Sequence, residues 1–198
     1  MSPITAKDVK DLRDKTGLGM MDCKKALVET NGNFEEAIDY LRKKGVSKGA
    51  ARQGRATGEG VIDAYIHPGS KVGILIEVGC ETDFVARSDE FVDLVHNLAM
   101  QVAAAKPTYV SREDVPEDII EHEKEIYREQ LAAENKPAQI IEKISQGKLD
   151  KFFKENCLIE QLYIKDTNQT VSEGVLTIAG KFKENIQVRR FASYILGE

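Results

Sequence analysis

At 198 residues, 41% hydrophobic and 31% charged, the chain has room for one ordinary domain or for a small domain joined to a medium one, and its composition argues against disorder. A net charge of −5 argues against a protein whose main task is to coat nucleic acid or an anionic membrane, and three widely spaced cysteines with no CxxC pair exclude a disulfide framework. The charged N-terminus has no signal-peptide core and no apolar run approaches the ~20 residues of a membrane span, so the expectation is a soluble, cytoplasmic protein.

Residues 1–45 read as three short helices. Thr5 is placed to cap the first, with Asp8 three residues on as the capping-box acid, Val9 and Leu12 on one face, and Gly17 as the stop. The second runs from about Met20 to Thr30, with Cys23, Ala26 and Leu27 at helical spacing. Asn33 caps the third, whose stripe is Phe34, Ala37, Ile38 and Leu41, and Gly45 is expected to end it. So few core side chains suit a docking module better than an enzyme. Residues 46–59 then lose the apolar pattern. Lys48, Arg52 and Arg55 stand among Gly and Ala, which reads as a basic, flexible linker.

From Gly60 the period changes to two. Ile62, Ala64 and Ile66 alternate with Asp63, Tyr65 and His67; Pro68-Gly69-Ser70-Lys71 turns the chain; Val72, Ile74, Ile76 and Val78 alternate again. The expectation is an antiparallel hairpin with one buried face. A helix follows from about Ser88, carrying Phe91, Leu94, Val95, Leu98, Ala99 and Val102. Over 111–155, Ile119, Ile126 and Ala133 recur every seven residues, Asn135-Lys136-Pro137 breaks the helix, and Ile140, Ile144, Phe152 and Phe153 return. A thin seam among many Glu and Lys predicts a projecting, coiled-coil-like helical hairpin. Thr170-Val171-Ser172-Glu173 is a capping box for a helix that Gly180 is expected to close. The last segment, NIQVRRFASYIL, alternates through Ile186, Val188, Ala192 and Tyr194 as a third strand. The fold class expected is therefore α+β, with a core over 60–198 behind the N-terminal module.

Catalytic machinery is not legible. There is no GxxxxGK[ST] and no GxGxxG after a strand. His67, His96 and His122 lie far apart without close metal-ligand partners, so no metal or cofactor is expected. A thiol enzyme built on Cys80 would need a base beside it; the strand pattern instead makes Cys80 a small inward residue. Aromatic and basic residues do not interleave as a single-strand nucleic-acid platform requires.

Two places leave a choice open. In EVGCETDFVARSDEF, residues 77–91, Thr82 and Ser88 are both placed to cap, which leaves Asp83 and Phe84 on a compact bend at the sheet's end. Phe84 either folds back onto the core or protrudes as an apolar anchor. Met20-Met21, where GLG enters a helix, pose the same question.

The segments TGLGMMDCKKAL (16–27), EVGCETDFVARSDEF (77–91) and NIQVRRF resemble bacterial-type translation elongation factor Ts, and the likeness covers essentially the whole chain. The resemblance implies a ubiquitin-associated-like N-terminal module, a core with a small antiparallel sheet, and a coiled-coil hairpin. It implies guanine-nucleotide exchange on elongation factor Tu, without covalent chemistry. Thr82, Asp83, Phe84 and Val85 would be the tip that disturbs the partner's magnesium site, with Phe84 as wedge. Leu12, Arg13, Met20 and Met21 would form the docking face. Many family members are longer, with two related halves in the core; this chain has room for about one, so a homodimer is expected to supply the second. The competing reading is an RNA-binding adaptor that uses the module and residues 48–55, although the acidic balance speaks against direct nucleic-acid contact.

Overall fold

A computed structural model describes residues 4–132 and 138–197. The chain runs α1 (Ala6–Thr16), α2 (Met20–Glu29), α3 (Phe34–Ala50), β1 (Glu59–Ile66), β2 (Val72–Cys80), α4 (Asp83–Ala86) and α5 (Asp89–Ala105). It continues through α6 (Glu117–Ala132), α7 (Ala138–Asn156), β3 (Leu162–Tyr163), β4 (Asp166–Thr170), α8 (Val171–Phe182) and β5 (Gln187–Ile195). The architecture is α+β. Among the described residues no helix is long and apolar enough to cross a membrane.

The N-terminal helices start and stop on local chemistry. Thr5 and Asp8 form the capping box of α1, and Gly17 ends it at φ 65°. Asn33 caps α3 by accepting from the N–H groups of Glu35 and Glu36. Val9, Leu12, Cys23, Ala26, Leu27, Ala37 and Leu41 fill the space between the three helices. Gly45 does not end α3, which continues to Ala50 and so occupies the first residues of the expected linker. Gly45 lies where α3 meets α8, where a Cβ would have an ordinary 3.5 Å spacing to Thr177, and the tightest contacts fall at Gly49 and Gly180. α3 crosses α8 so closely that a Cβ on Gly49 would lie 2.1 Å from the Leu176 carbonyl oxygen, and one on Gly180 2.3 Å from that of Gly45. Gly180 likewise lies inside α8, which runs on to Phe182 and closes at Lys183 in the left-handed region.

The main sheet has the order β1-β2-β5, antiparallel throughout. Its inner face presents Ile74, Ile76, Val78 and Cys80 to Phe91, Leu94, Val95 and Leu98 of α5 and to Val175 and Ala179 of α8. β1 is turned opposite to expectation. Val61, Asp63 and Tyr65 face inward, while Ile62, Ala64 and Ile66 are exposed. Polar partners at the solvent-exposed margin of this face make this workable: His96 Nδ1 lies 2.8 Å from the Asp63 carboxylate, and the Tyr65 ring meets the His96 ring edge-on at 5.6 Å. β5 also breaks its expected alternation. A bulge opposite Glu77/Val78 leaves Val188 facing the core and turns Ala192 and Tyr194 outward.

α6 and α7 form the expected hairpin, with Val115, Leu149, Phe153 and Cys157 buried at its base beside Ile119, Ile120 and Tyr127. Ile140 is half exposed and does not join the seam. Ala133 and the expected break at Asn135-Lys136-Pro137 lie outside the described residues. A buried amide pair ties this base to α5: Gln101 donates to the Gln161 side chain at 3.1 Å and to the Leu162 carbonyl at 3.2 Å, and accepts from the Ile164 N–H at 2.8 Å. The small sheet β3–β4 was not anticipated; its strands are too short to show a period.

Candidate functional site

The bend after β2 is built by two caps in succession. Cys80 ends the strand inside the core, its thiol donating to the Thr82 carbonyl at 3.2 Å, and burial pushes that thiol up to about 11. Thr82 caps α4 by accepting from the Val85 N–H, and Ser88 caps α5 by accepting from the Phe91 N–H, each at 3.4 Å. The Ser88 hydroxyl also donates to the Val85 carbonyl at 2.7 Å, which closes the turn between the two helices.

Within this turn the side chains divide sharply. Val85 is 2% exposed and belongs to the core, whereas Phe84 is 79% exposed. Asp83 is exposed, with Arg87 3.2 Å from its carboxylate. An aromatic ring standing in water beside a carboxylate, on a backbone capped at both ends, has the form that can serve as a preorganised apolar anchor. Val85 holds that anchor from beneath and is not itself presented.

The bend is also strapped from behind. Glu184 accepts from the backbone N–H groups of Glu81 (3.1 Å) and Thr82 (3.0 Å) and from the Thr82 hydroxyl (2.6 Å). Glu81 in turn accepts from the Asn185 N–H at 2.6 Å, and the Asn185 side chain donates to the Arg55 carbonyl at 2.7 Å. Sequence reasoning missed Glu184 and Asn185, and it placed Arg55 only in a basic linker. Glu184 stands 103 residues from Glu81, and no local pattern marks such a pair.

The N-terminal residues are brought together only in part. Met21 is 76% and Met20 46% exposed at the start of α2, and Arg13 is exposed on α1. Leu12 is not on that surface. It is fully buried, because it lies on the α1 face that packs on Cys23 and Leu27. The loop behind the methionines is held by Asp22, whose carboxylate takes Lys44 at 2.8 Å and Lys48 at 3.0 Å. Those hydrogen bonds, Lys44's first, keep Asp22 below the usual carboxylate range. Lys181 of α8 donates to Glu90 at 2.7 Å and rests against Gly17, so one helix braces both the loop before α2 and the start of α5.

Among the described residues no group of three or more His, Cys, Asp or Glu could hold a metal ion. Cys157, like Cys80, is buried and its thiol is pushed up to about 11, chiefly by desolvation.

Comparison with known proteins places this arrangement. A family model described as elongation factor TS matches residues 5–198. The chain belongs to the elongation factor Ts family. The elongation factor Ts of Moorella thermoacetica is 57% identical over 195 residues, covering 98% of this chain and 96% of its own. Those of Fervidobacterium nodosum and Caldanaerobacter subterraneus are 54% and 52% identical, with 99% and 98% of their own chains covered. Each of these alignments spans 195 of the 198 residues, nearly the whole chain.

Proposed function

We propose that the chain is the guanine-nucleotide exchange factor for elongation factor Tu, and that it promotes GDP release by inserting the 82–85 bend against the partner's magnesium and phosphate site. Family membership supports the partner. The observation that carries the mechanism is Phe84, an exposed aromatic ring on a backbone held by two caps and by Glu184.

The physics asks little else of the protein. A nanomolar GDP complex holds about 12 kcal/mol, so spontaneous release is slow. An exchange factor binds the nucleotide-free conformation better than the GDP-bound one, and by reciprocity weakens GDP by the factor that GDP weakens it. Magnesium bridges phosphate oxygens and protein ligands in such sites, and displacing the elements around it loosens the phosphates. Phe84 supplies the apolar insert, Asp83 and Thr82 fix its direction, and Val85 anchors it. Arg13, Met20 and Met21 form a second contact, with Leu12 supporting it from the core. GTP binding to the partner then releases the factor. No covalent step is required, and thiols with pKa values raised to about 11 offer no nucleophile at neutral pH.

The working form we propose is a homodimer that joins the outer faces of two main sheets. Ile62, Ile66, Leu75 and Tyr194 form an apolar face that a single copy leaves in water. The RNA-adaptor reading draws less support, since Lys48 is engaged by Asp22 and Arg55 by Glu81. The test is release of a fluorescent GDP from bacterial elongation factor Tu with and without the protein. Strong acceleration is expected, and unchanged release with a competent partner would overturn the proposal.

A further inference from the structure

Glu184 occupies the joint where α8 hands the chain to β5. Its own N–H donates to the Ala179 carbonyl at 3.2 Å, so its backbone is part of the helix end. α8 is in turn immobilised by its close crossing with α3 at Gly49 and Gly180. From this fixed point one carboxylate oxygen receives the two successive backbone N–H groups of Glu81 and Thr82, at 3.1 and 3.0 Å. The other receives the Thr82 hydroxyl at 2.6 Å. Because that hydroxyl donates to Glu184, its lone pairs are left to accept from the Val85 N–H at 3.4 Å, the bond that starts α4. One side chain therefore fixes both the approach of the chain to the bend and the orientation of the cap.

Phe84 depends on this arrangement because its ring is 79% exposed and its aim is the aim of its backbone. Val85 and Ala86, both buried, pin the bend on its C-terminal side. On the N-terminal side the corresponding constraint is Glu184, reinforced by the return bond from the Asn185 N–H to Glu81 at 2.6 Å. We propose that Glu184 is the positioning residue for Phe84: it holds the bend in the inserting geometry before the partner arrives, so that association does not have to supply that ordering. This rests on the proposed role of Phe84 in nucleotide exchange.

The position predicts a particular pattern of loss. Glu184→Ala retains the Phe84 side chain and the N-terminal docking residues but frees the approach to the cap, so that Phe84 loses its fixed aim. The maximal rate of GDP release at saturating factor should fall by about tenfold, a modest part of what misplacement of a reacting geometry can cost. The half-saturating concentration should stay within about twofold. Glu184→Gln keeps one acceptor for the backbone N–H groups and should fall between the two. A geometric readout is available because the chain contains no tryptophan. Phe84→Trp places a single fluorophore at the bend, and adding Glu184→Ala should lower its anisotropy in the free protein.

The experiment therefore measures release of fluorescent GDP as a function of factor concentration for wild type, Phe84→Ala, Glu184→Ala and Glu184→Gln, with tryptophan anisotropy in the Phe84→Trp background. A reduced maximal rate with near-constant half-saturation and a graded response in Gln and Ala supports the positioning role. A wild-type maximal rate in folded Glu184→Ala, alongside loss in Phe84→Ala, overturns it and leaves the exchange reading intact. If wild type itself fails to accelerate release, the exchange reading falls, and unchanged anisotropy at position 84 would then overturn the positioning role independently.

Discussion

Gly49 of α3 rests on the carbonyl of Leu176 in α8, so close that a Cβ at Gly49 would stand 2.1 Å from the oxygen. The contact is backbone against backbone, and no rotamer change relieves it. Gly49→Ala should therefore push the helices apart and lower stability by about 1–3 kcal/mol, the range for overpacking a tight contact. Gly147, inside α7 with open space around its Cα, is the internal comparison. There Gly→Ala should raise stability by up to about 1 kcal/mol through helix propensity. Opposite signs in denaturant midpoints would establish that the first glycine serves packing; equal signs would remove that explanation.

Val85 and Phe84 are adjacent in sequence and opposite in environment. Val85→Ala removes two buried methyl groups beside Cys80 and Phe91 and should cost about 2 kcal/mol of stability. Thermal denaturation reads this directly. A loss under about 0.5 kcal/mol would mean that the core does not hold the bend as described.

The outer sheet face predicts assembly. Leu75→Glu, on the central strand among Ile62, Ile66 and Tyr194, should be tolerated by a single copy because the side chain already meets solvent. The same substitution should dissociate the proposed homodimer, since two copies would bury like charges against each other. Sedimentation equilibrium should show twice the chain mass for wild type and the chain mass for Leu75→Glu. A wild-type monomer at working concentrations would contradict the pairing.

Alkaline pH should weaken the fold through its buried thiols. Cys80 and Cys157 have pKa values raised to about 11 from 9.0, so the folded state keeps protons that the unfolded chain releases first. Their stabilising contribution is complete below pH 9.0 and is lost as pH rises toward about 11. Urea midpoints should decline across that window, less steeply in Cys80→Ala. An identical decline in the variant would assign the effect elsewhere.

Much of this molecule was legible locally. Thr5-Asp8, Asn33, Thr82, Ser88 and Thr170-Glu173 each carry their cap within a few residues, and all five cap as read. Long-range geometry was not legible. Gly45 and Gly180 look like stops to a local rule, yet both lie inside helices that touch each other. Ile62, Ala64 and Ile66 read as a buried face because apolar alternation shows which residues share a side but not which side is the core. At Phe84 local physics favours the core, because Phe is usually buried, and only the family resemblance points to the surface. The choice was made by the helix α4 that Thr82 starts and Val85 anchors, and by Glu184 more than a hundred positions away.

The central claim is that Phe84 acts on the partner rather than on this protein's own stability. With a ring 79% exposed, Phe84→Ala should leave the melting temperature nearly unchanged. As the anchor of an interface it should cost at least about 2 kcal/mol in the exchange step, or roughly 30-fold. The deciding measurement is the maximal rate of fluorescent GDP release from elongation factor Tu at saturating factor, for wild type and for folded Phe84→Ala. A loss of that order with intact stability is the predicted result. Release at the wild-type rate would contradict the account and move the mechanism to the face of Arg13, Met20 and Met21.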